Sequence, residues 1–257
     1  MSLPVSYHIE KSVEVLRAHA GTRLHFGWTF GWAGVATVIF GLGQVIGHQI
    51  RPRGETFRFW AGSWARSIFG MGALRVRTRR ATTLDPSKPY VFVCNHQNSL
   101  DILATLIAID VPFTFAAKAD LKNVPMLGWA MDQSPCIWVD RSTPRKAVQS
   151  IRDAGERIRS GTSVLIFPEG ERTYSNEVFP MLKGAFQLAL EAGVPLVPVV
   201  IHDAYKYLDE RRYVSRPGVI HVDIGEPIGI EGATRRDLPE IMERFAQTFR
   251  AELASGH

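Results

Sequence analysis

The rhythm of apolar positions changes twice along the chain. Between Arg23 and Arg51 there is no Asp, Glu, Lys or Arg. That run holds Phe26, Trp28, Phe30, Trp32, Val35, Val38, Ile39, Phe40, Leu42, Val45 and Ile46. Built as a helix, residues 24–50 reach about 40 Å, against roughly 30 Å of bilayer hydrocarbon. Six glycines (27, 31, 34, 41, 43 and 47) would weaken such a helix in water, but membrane helices tolerate them. The run is too long and too far from the N-terminus for a secretory signal. Next come Phe57-Arg58-Phe59-Trp60 and Trp64-Ala65-Arg66-Ser67-Ile68-Phe69, where aromatics alternate with arginines. That mixture suits a helix at headgroup depth. Two geometries stay open: a spanning helix, or two helices that dip into one leaflet and return. A core helix of a soluble protein fits the charge-free length and flanking arginines less well.

From about residue 73 the apolar runs shorten and become β-branched or aromatic. Strands are predicted at 74–78, 90–94, 113–116, 137–139, 164–167, 196–201 and 219–224. Helical periodicity fills 102–109, 145–158, 182–191 and 238–253. Strands alternating with helices predict an α/β fold with a mostly parallel central sheet flanked by helices. The division is residues 1–72 as N-terminal membrane-anchoring helices and 73–257 as the α/β domain. Neither an internal repeat nor a low-complexity linker interrupts it.

Charge sharpens this picture. The net charge of +5 is unevenly spread over the 257 residues. Residues 51–80 carry eight arginines against one acid, Glu55, whereas 81–257 carry 19 bases and 22 acids. A nucleic-acid binder would spread basic residues over its folded face. A short basic stretch beside an apolar helix points to anionic lipid instead. If residues 24–47 span, the arginine-rich side is cytoplasmic. Cys94 and Cys136 lie in apolar strand-like runs without a spaced Cys/His cluster, which predicts reduced core thiols.

Four segments carry candidate chemistry. In Asn95-His96-Gln97-Asn98-Ser99-Leu100-Asp101 a buried strand ends at Asn95. Ser99 is the expected N-cap, placing Asp101 in the first turn of the next helix. His96 then falls in a loop at a strand's carboxyl end, where open α/β sheets bind ligands. Through that loop the carboxylate can accept the Nδ1 proton and leave Nε2 as a base. The pair alone is weak, since a His and an Asp at this spacing are commonly structural. In Phe167-Pro168-Glu169-Gly170-Glu171-Arg172 a strand again ends in a polar turn. Alone it reads as a surface loop with a glutamate–arginine ion pair. Lys118 and Arg141 each follow a predicted strand and singly read as solvated cations. Val194-Pro195-Leu196-Val197-Pro198-Val199 reads as scaffold.

In order, these segments resemble the four blocks of the glycerolipid acyltransferase family, typified by bacterial 1-acyl-sn-glycerol-3-phosphate acyltransferase. His96 and Asp101 look like its His-x4-Asp motif. Lys118, Pro125, Gly128 and Arg141 are similar to its second block. Phe167 to Arg172 resembles Phe-Pro-Glu-Gly-Thr-Arg, and 194–199 resembles the last block. The likeness covers roughly residues 74–224. It departs at Glu171, where the family usually has threonine, which leaves the acceptor's head group open.

The resemblance implies transfer of an acyl group from an acyl thioester to the hydroxyl of a lysophospholipid. The expected acceptor is 1-acyl-sn-glycerol-3-phosphate and the product phosphatidic acid. His96 and Asp101 are the expected catalytic residues. Lys118, Glu169, Gly170, Arg172 and Arg141 are the expected substrate-binding residues. Neither metal nor cofactor is expected; coenzyme A or acyl carrier protein carries the acyl group as co-substrate. Membrane lipid is the expected partner, at the cell inner membrane with the catalytic domain cytoplasmic. Three rivals remain: the same chemistry on a lyso-aminolipid or glycolipid, a metal-dependent hydrolase with His96 and Asp101 as ligands, and a non-catalytic lipid-binding protein.

Overall fold

The computed structural model describes residues 5–50, 55–123, 128, 131, 136–139 and 142–255; side chains are described except at 5–21, 55, 118, 121, 144 and 147. Among the described residues, seven strands form one sheet. They are β1 (Leu74–Arg80), β2 (Val91–Cys94), β3 (Phe113–Lys118), β4 (Ile137–Val139), β5 (Ser163–Ile166), β6 (Leu196–His202) and β9 (Gly218–Ile224). Their order is β1-β9-β6-β2-β5-β3-β4. Every pairing is parallel except β6 with β9. A two-residue hairpin, β7 (Leu208–Asp209) with β8 (Val214–Ser215), stands apart.

Helices cover both faces, so the central strands β2, β5 and β6 are buried at every position rather than at alternate ones. Phe92, Cys94, Leu165, Val197, Val199 and Ile201 turn to the face packed by α1 (Val5–Ile50), α2 (Glu55–Met71) and α3 (Leu100–Ala108). Val91, Val93, Val164, Ile166 and Val200 turn to the opposite face. There they meet Ile158 of α4 (Pro144–Arg159), Phe186 of α5 (Lys183–Ala192) and Phe245 and Phe249 of α6 (Leu238–Ser255). The expected α/β class is the observed one. Every strand and helix predicted within residues 73–257 appears, with ends moved by no more than two residues, whereas the apolar helix expected from residue 24 begins at Val5.

The first two helices form a hairpin. Trp60 of α2 lies on Gly43 and Gly47 of α1, where a methyl group at Gly43 would collide with its ring. Trp64 Nε1–H donates to Thr37 Oγ1 at 3.2 Å, and Trp28 Nε1–H to Met71 O at 3.2 Å. Within α1, Thr22–Ile50 is long and apolar enough to cross a membrane, and its most apolar window is only 17% buried. Leu24, Trp28, Val35, Ile39, Leu42 and Ile46 form one exposed apolar stripe. A water-soluble core helix would cover that stripe.

Candidate active site

Strand register builds the site. Val93 of β2 pairs with Ile166 of β5, so His96 and Glu169, each three residues on, leave the sheet side by side. The His96 backbone N–H donates to Glu169 Oε2 at 3.2 Å. Gly170 turns the second loop at φ +77, where only glycine sits without strain, and its N–H donates to Phe167 O at 3.3 Å. The two loops are then tied together. Thr173 N–H donates to His96 O at 2.9 Å and Tyr174 N–H to Gln97 O at 3.1 Å.

His96 Nδ1 lies 2.8 Å from Asp101 Oδ2. The same oxygen accepts the backbone N–H groups of Gln97 at 2.5 Å and Asn98 at 2.9 Å. Asp101 is wholly buried, in the first turn of α3. Burial holds its carboxyl above the ordinary range, while His96 and the two amides pull it back. The His96 ring lies flat on Phe167, with centroids 4.1 Å apart and planes at 20°. Its side chain keeps 12% exposure. The arrangement fixes the ring's orientation and directs Nδ1–H to the carboxylate. Nε2 is left as the nitrogen that can accept a proton from a hydroxyl.

Ser99 does not cap α3 as expected. Its backbone is already helical and its side chain makes no capping bond. Asn98 does that work: its Oδ1 accepts Leu100 N–H at 2.9 Å. Its Nδ2 donates to Ala204 O and Leu208 O, each at 2.9 Å, which fastens the loop to the chain beyond β6. Asn95 likewise clasps Ile201, with Nδ2 donating to the carbonyl at 2.9 Å and Oδ1 accepting the amide at 2.7 Å. Cys94 is buried, as expected, and burial pushes its thiol up, away from thiolate.

The glutamate–arginine pairing that the second loop suggests when taken alone does not form. Glu169 turns inward to the His96 backbone, whereas Arg172 turns outward and its Nη1 meets Glu210 Oε1 at 3.3 Å. That oxygen also accepts Ser99 N–H at 3.1 Å, at the start of α3. Glu171 is exposed. Lys118 ends β3, with Val139 of β4 as its register partner, and its side chain is not among those described. Arg141 and Pro125 lie outside the described residues. Gly128 is buried.

Glu169 has a testable electrostatic signature. Burial raises its carboxyl from 4.5 to about 7, Asp101 adds to the rise, and the amides of His96 and Phe179 oppose it. Below 4.5 both folded and unfolded chains hold the proton. As pH rises from there through about 7, the unfolded chain releases it more readily, so stability falls across that window. Glu169→Gln keeps the acceptor for His96 N–H without the charge. It is expected to melt close to the parent near pH 4.5 and a few degrees higher at pH 8. A variant that melts lower than the parent at pH 8 would contradict this.

The matching family model, Acyltransferase, covers residues 75–202. The chain is 30% identical over 190 residues to 1-acyl-sn-glycerol-3-phosphate acyltransferase beta of Homo sapiens, covering 74% of this chain and 68% of that protein. The chain belongs to the acyltransferase family. It is also 35% identical over 160 residues to 1-acyl-sn-glycerol-3-phosphate acyltransferase of Saccharomyces cerevisiae, covering 61% of this chain and 53% of that one. The matches thus span about half to two thirds of these relatives. The crystal structure of the 1-acyl-sn-glycerophosphate acyltransferase of Thermotoga maritima superposes with a TM-score of 0.73, over 90% of this chain and 98% of that one. At 21% identity that likeness is one of fold.

This acyltransferase chain also uses residues that the sequence reading gave no role. Gln97 is buried, its Nε2 donating to Asn176 Oδ1 at 2.8 Å and Ile201 O at 3.0 Å. Asn98 and Glu210 complete the support of α3 and Arg172. An unbroken polar run between a buried strand and an apolar helix was a signal for the first two. For Glu210, in the charged stretch 209–212, the sequence held none.

Proposed function

We propose that this protein transfers an acyl group from an acyl thioester of coenzyme A or acyl carrier protein to the free hydroxyl of a lysophospholipid. The acceptor is 1-acyl-sn-glycerol-3-phosphate and the product phosphatidic acid. The observation that carries the reading is the 2.8 Å His96–Asp101 contact on a wholly buried carboxylate. Nε2 of His96 takes the acceptor's O–H proton while the oxygen attacks the thioester carbonyl. Asp101 stabilises the imidazolium that forms. The tetrahedral intermediate collapses, the C–S bond breaks, and the imidazolium returns the proton to the departing thiolate. No metal or prosthetic group takes part. Asp101 Oδ2 is already occupied by three N–H donors, which suits a hydrogen-bonded dyad better than a metal ligand.

Arg172, with Lys118 and Arg141, holds the acceptor's phosphate. A guanidinium can grip a phosphate through two parallel hydrogen bonds, and its single 3.3 Å bond to Glu210 is readily exchanged. Gly170 lets the loop backbone approach the acceptor, and Glu169 holds the loop of His96. The apolar stripe of α1 seats the chain in a bilayer, where the lyso-lipid and its product reside. The arginines of 51–80 favour the cell inner membrane with the catalytic domain on the cytoplasmic side.

Mass spectrometry of products from a panel of labelled acyl donors and lyso-lipid acceptors tests the reading. Phosphatidic acid from lysophosphatidic acid is the expected product. Preferred acylation of a lyso-aminolipid or glycolipid, which the exposed Glu171 beside Arg172 would favour, overturns the acceptor assignment. No product from any thioester overturns the enzyme. Arg172→Ala is expected to raise the acceptor KM about 10- to 100-fold, the loss of one charge-assisted contact, with the donor KM unchanged. Equal rises in both constants would remove Arg172 from phosphate binding.

A further inference from the structure

A second cationic centre lies outside the His96 and Glu169 loops. Arg211, Arg212 and Arg216 of the β7–β8 hairpin region converge with Arg23 of α1 on one cleft of about 480 Å³, walled also by Tyr213 and Val214. Segments almost two hundred residues apart meet there because α1 docks on the hairpin. His25 Nδ1 is 2.6 Å from Ser215 Oγ, and Phe26 packs edge-on against Tyr213 at 5.6 Å.

The cleft is strongly unbalanced in charge. Asp209 answers it at 3.1 and 3.2 Å from Arg211 and 3.7 Å from Arg212, and Glu210 adds a weaker attraction on Arg211. Four arginines against Asp209 and Glu210 leave two positive charges, with Glu210 also shared with Arg172, and all four arginines are exposed. Like charges gathered this closely repel unless an anion joins them. Arg211 also stacks on Tyr174 at 3.9 Å, which fixes its plane beside the cleft.

The position of the cleft identifies the anion. Arg23 is the last charge before the uncharged run that ends at Arg51, and the exposed apolar stripe begins at its neighbour Leu24. If the stripe is in hydrocarbon, Arg23 stands at headgroup depth, and the hairpin arginines stand with it. Tyr213 is 66% exposed at the same level, where an amphipathic ring is favoured. We propose that this cleft binds the phosphate headgroup of an anionic phospholipid in the membrane that receives α1. The inference rests on the membrane seating proposed above. It assigns the lipid to a site separate from Arg172.

Vesicle flotation of the full chain tests it. The parent binds neutral phosphatidylcholine vesicles through α1 and binds more tightly when phosphatidylglycerol is added. Each headgroup arginine is worth about fivefold in partition. Arg211→Gln/Arg212→Gln/Arg216→Gln should therefore lose about 100-fold of the phosphatidylglycerol increment and keep its binding to neutral vesicles. Arg23→Gln/Arg216→Gln, which leaves the Asp209 and Tyr174 contacts intact, should lose about 25-fold. Arg235→Gln/Arg236→Gln/Arg244→Gln, exposed positions just before and within α6, should keep the whole increment. The proposal is overturned if the cleft variants keep the increment or the α6 control loses as much. It is also overturned if the cleft variants keep the increment and instead raise the KM for acyl-coenzyme A, which makes the cleft a donor site. A parent that binds no vesicle overturns the membrane seating itself, and this inference with it.

Discussion

His96→Ala is expected to lower kcat by about 10² to 10⁴ while leaving the fold and both substrate affinities in place. The backbone of residue 96 carries the structural contacts. Its N–H reaches Glu169 and its carbonyl accepts Thr173, and alanine keeps both bonds. The side chain contributes the ring over Phe167 and the bond to Asp101. Removing the ring therefore subtracts the base and leaves a small gap at a partly exposed site. Among the described residues, no thiolate offers a covalent route around the missing base. Cys94 is two residues away but buried, and burial disfavours its thiolate. The remaining rate would come from positioning alone. The check is kcat and KM for donor and acceptor, with thermal melting alongside. Activity within tenfold of the parent in a folded variant would sink His96 as the base.

The sequence disclosed the scaffold more fully than the site's supports. β2, β5 and β6 are buried on both faces, so their runs read as continuous apolar segments whatever their neighbours. Order across the sheet is different. That β9 runs antiparallel to β6 and parallel to β1 follows from pairing between segments far apart, which no local pattern encodes. The hairpin β7–β8 escaped notice because each strand has two residues, too few for alternation to register. Glu210 lies in that hairpin, and the second loop, taken alone, suggests that Arg172 pairs with a glutamate of its own loop. Burial decided otherwise. Glu169 lies against the His96 loop and is almost fully covered, while Arg172 stays at the surface where Glu210 meets it. His96 and Asp101 were legible because the loop-then-helix geometry brings residues five apart together. The amides that hold Asp101 in place are backbone groups and carry no sequence signature.

Asp101→Asn is expected to cost nearly as much activity as losing His96, by one of two routes. Three donors converge on Asp101 Oδ2: His96 Nδ1–H, Gln97 N–H and Asn98 N–H. If the asparagine carbonyl takes that place, all three bonds survive, but the negative charge that stabilises the imidazolium is gone. Its amide group then occupies the position of Oδ1, a buried atom with no partner, and adds an unsatisfied donor worth about 1–3 kcal/mol of stability. If the amide turns the other way, its N–H faces Nδ1. The ring must then accept there and carry its proton on Nε2, so the base is lost outright. It would also oppose two backbone N–H groups. Either route predicts a fall in kcat of at least about 10² with both KM values little changed, and a lowered Tm. Asp101→Glu gives no rescue, because an added methylene has no room at a wholly buried position. The double variant separates a shared mechanism from general damage. If Asp101 acts through His96, His96→Ala/Asp101→Asn turns over no more slowly than His96→Ala. A double variant slower by the product of the two single losses would show that Asp101 acts apart from His96, and would remove it from the dyad.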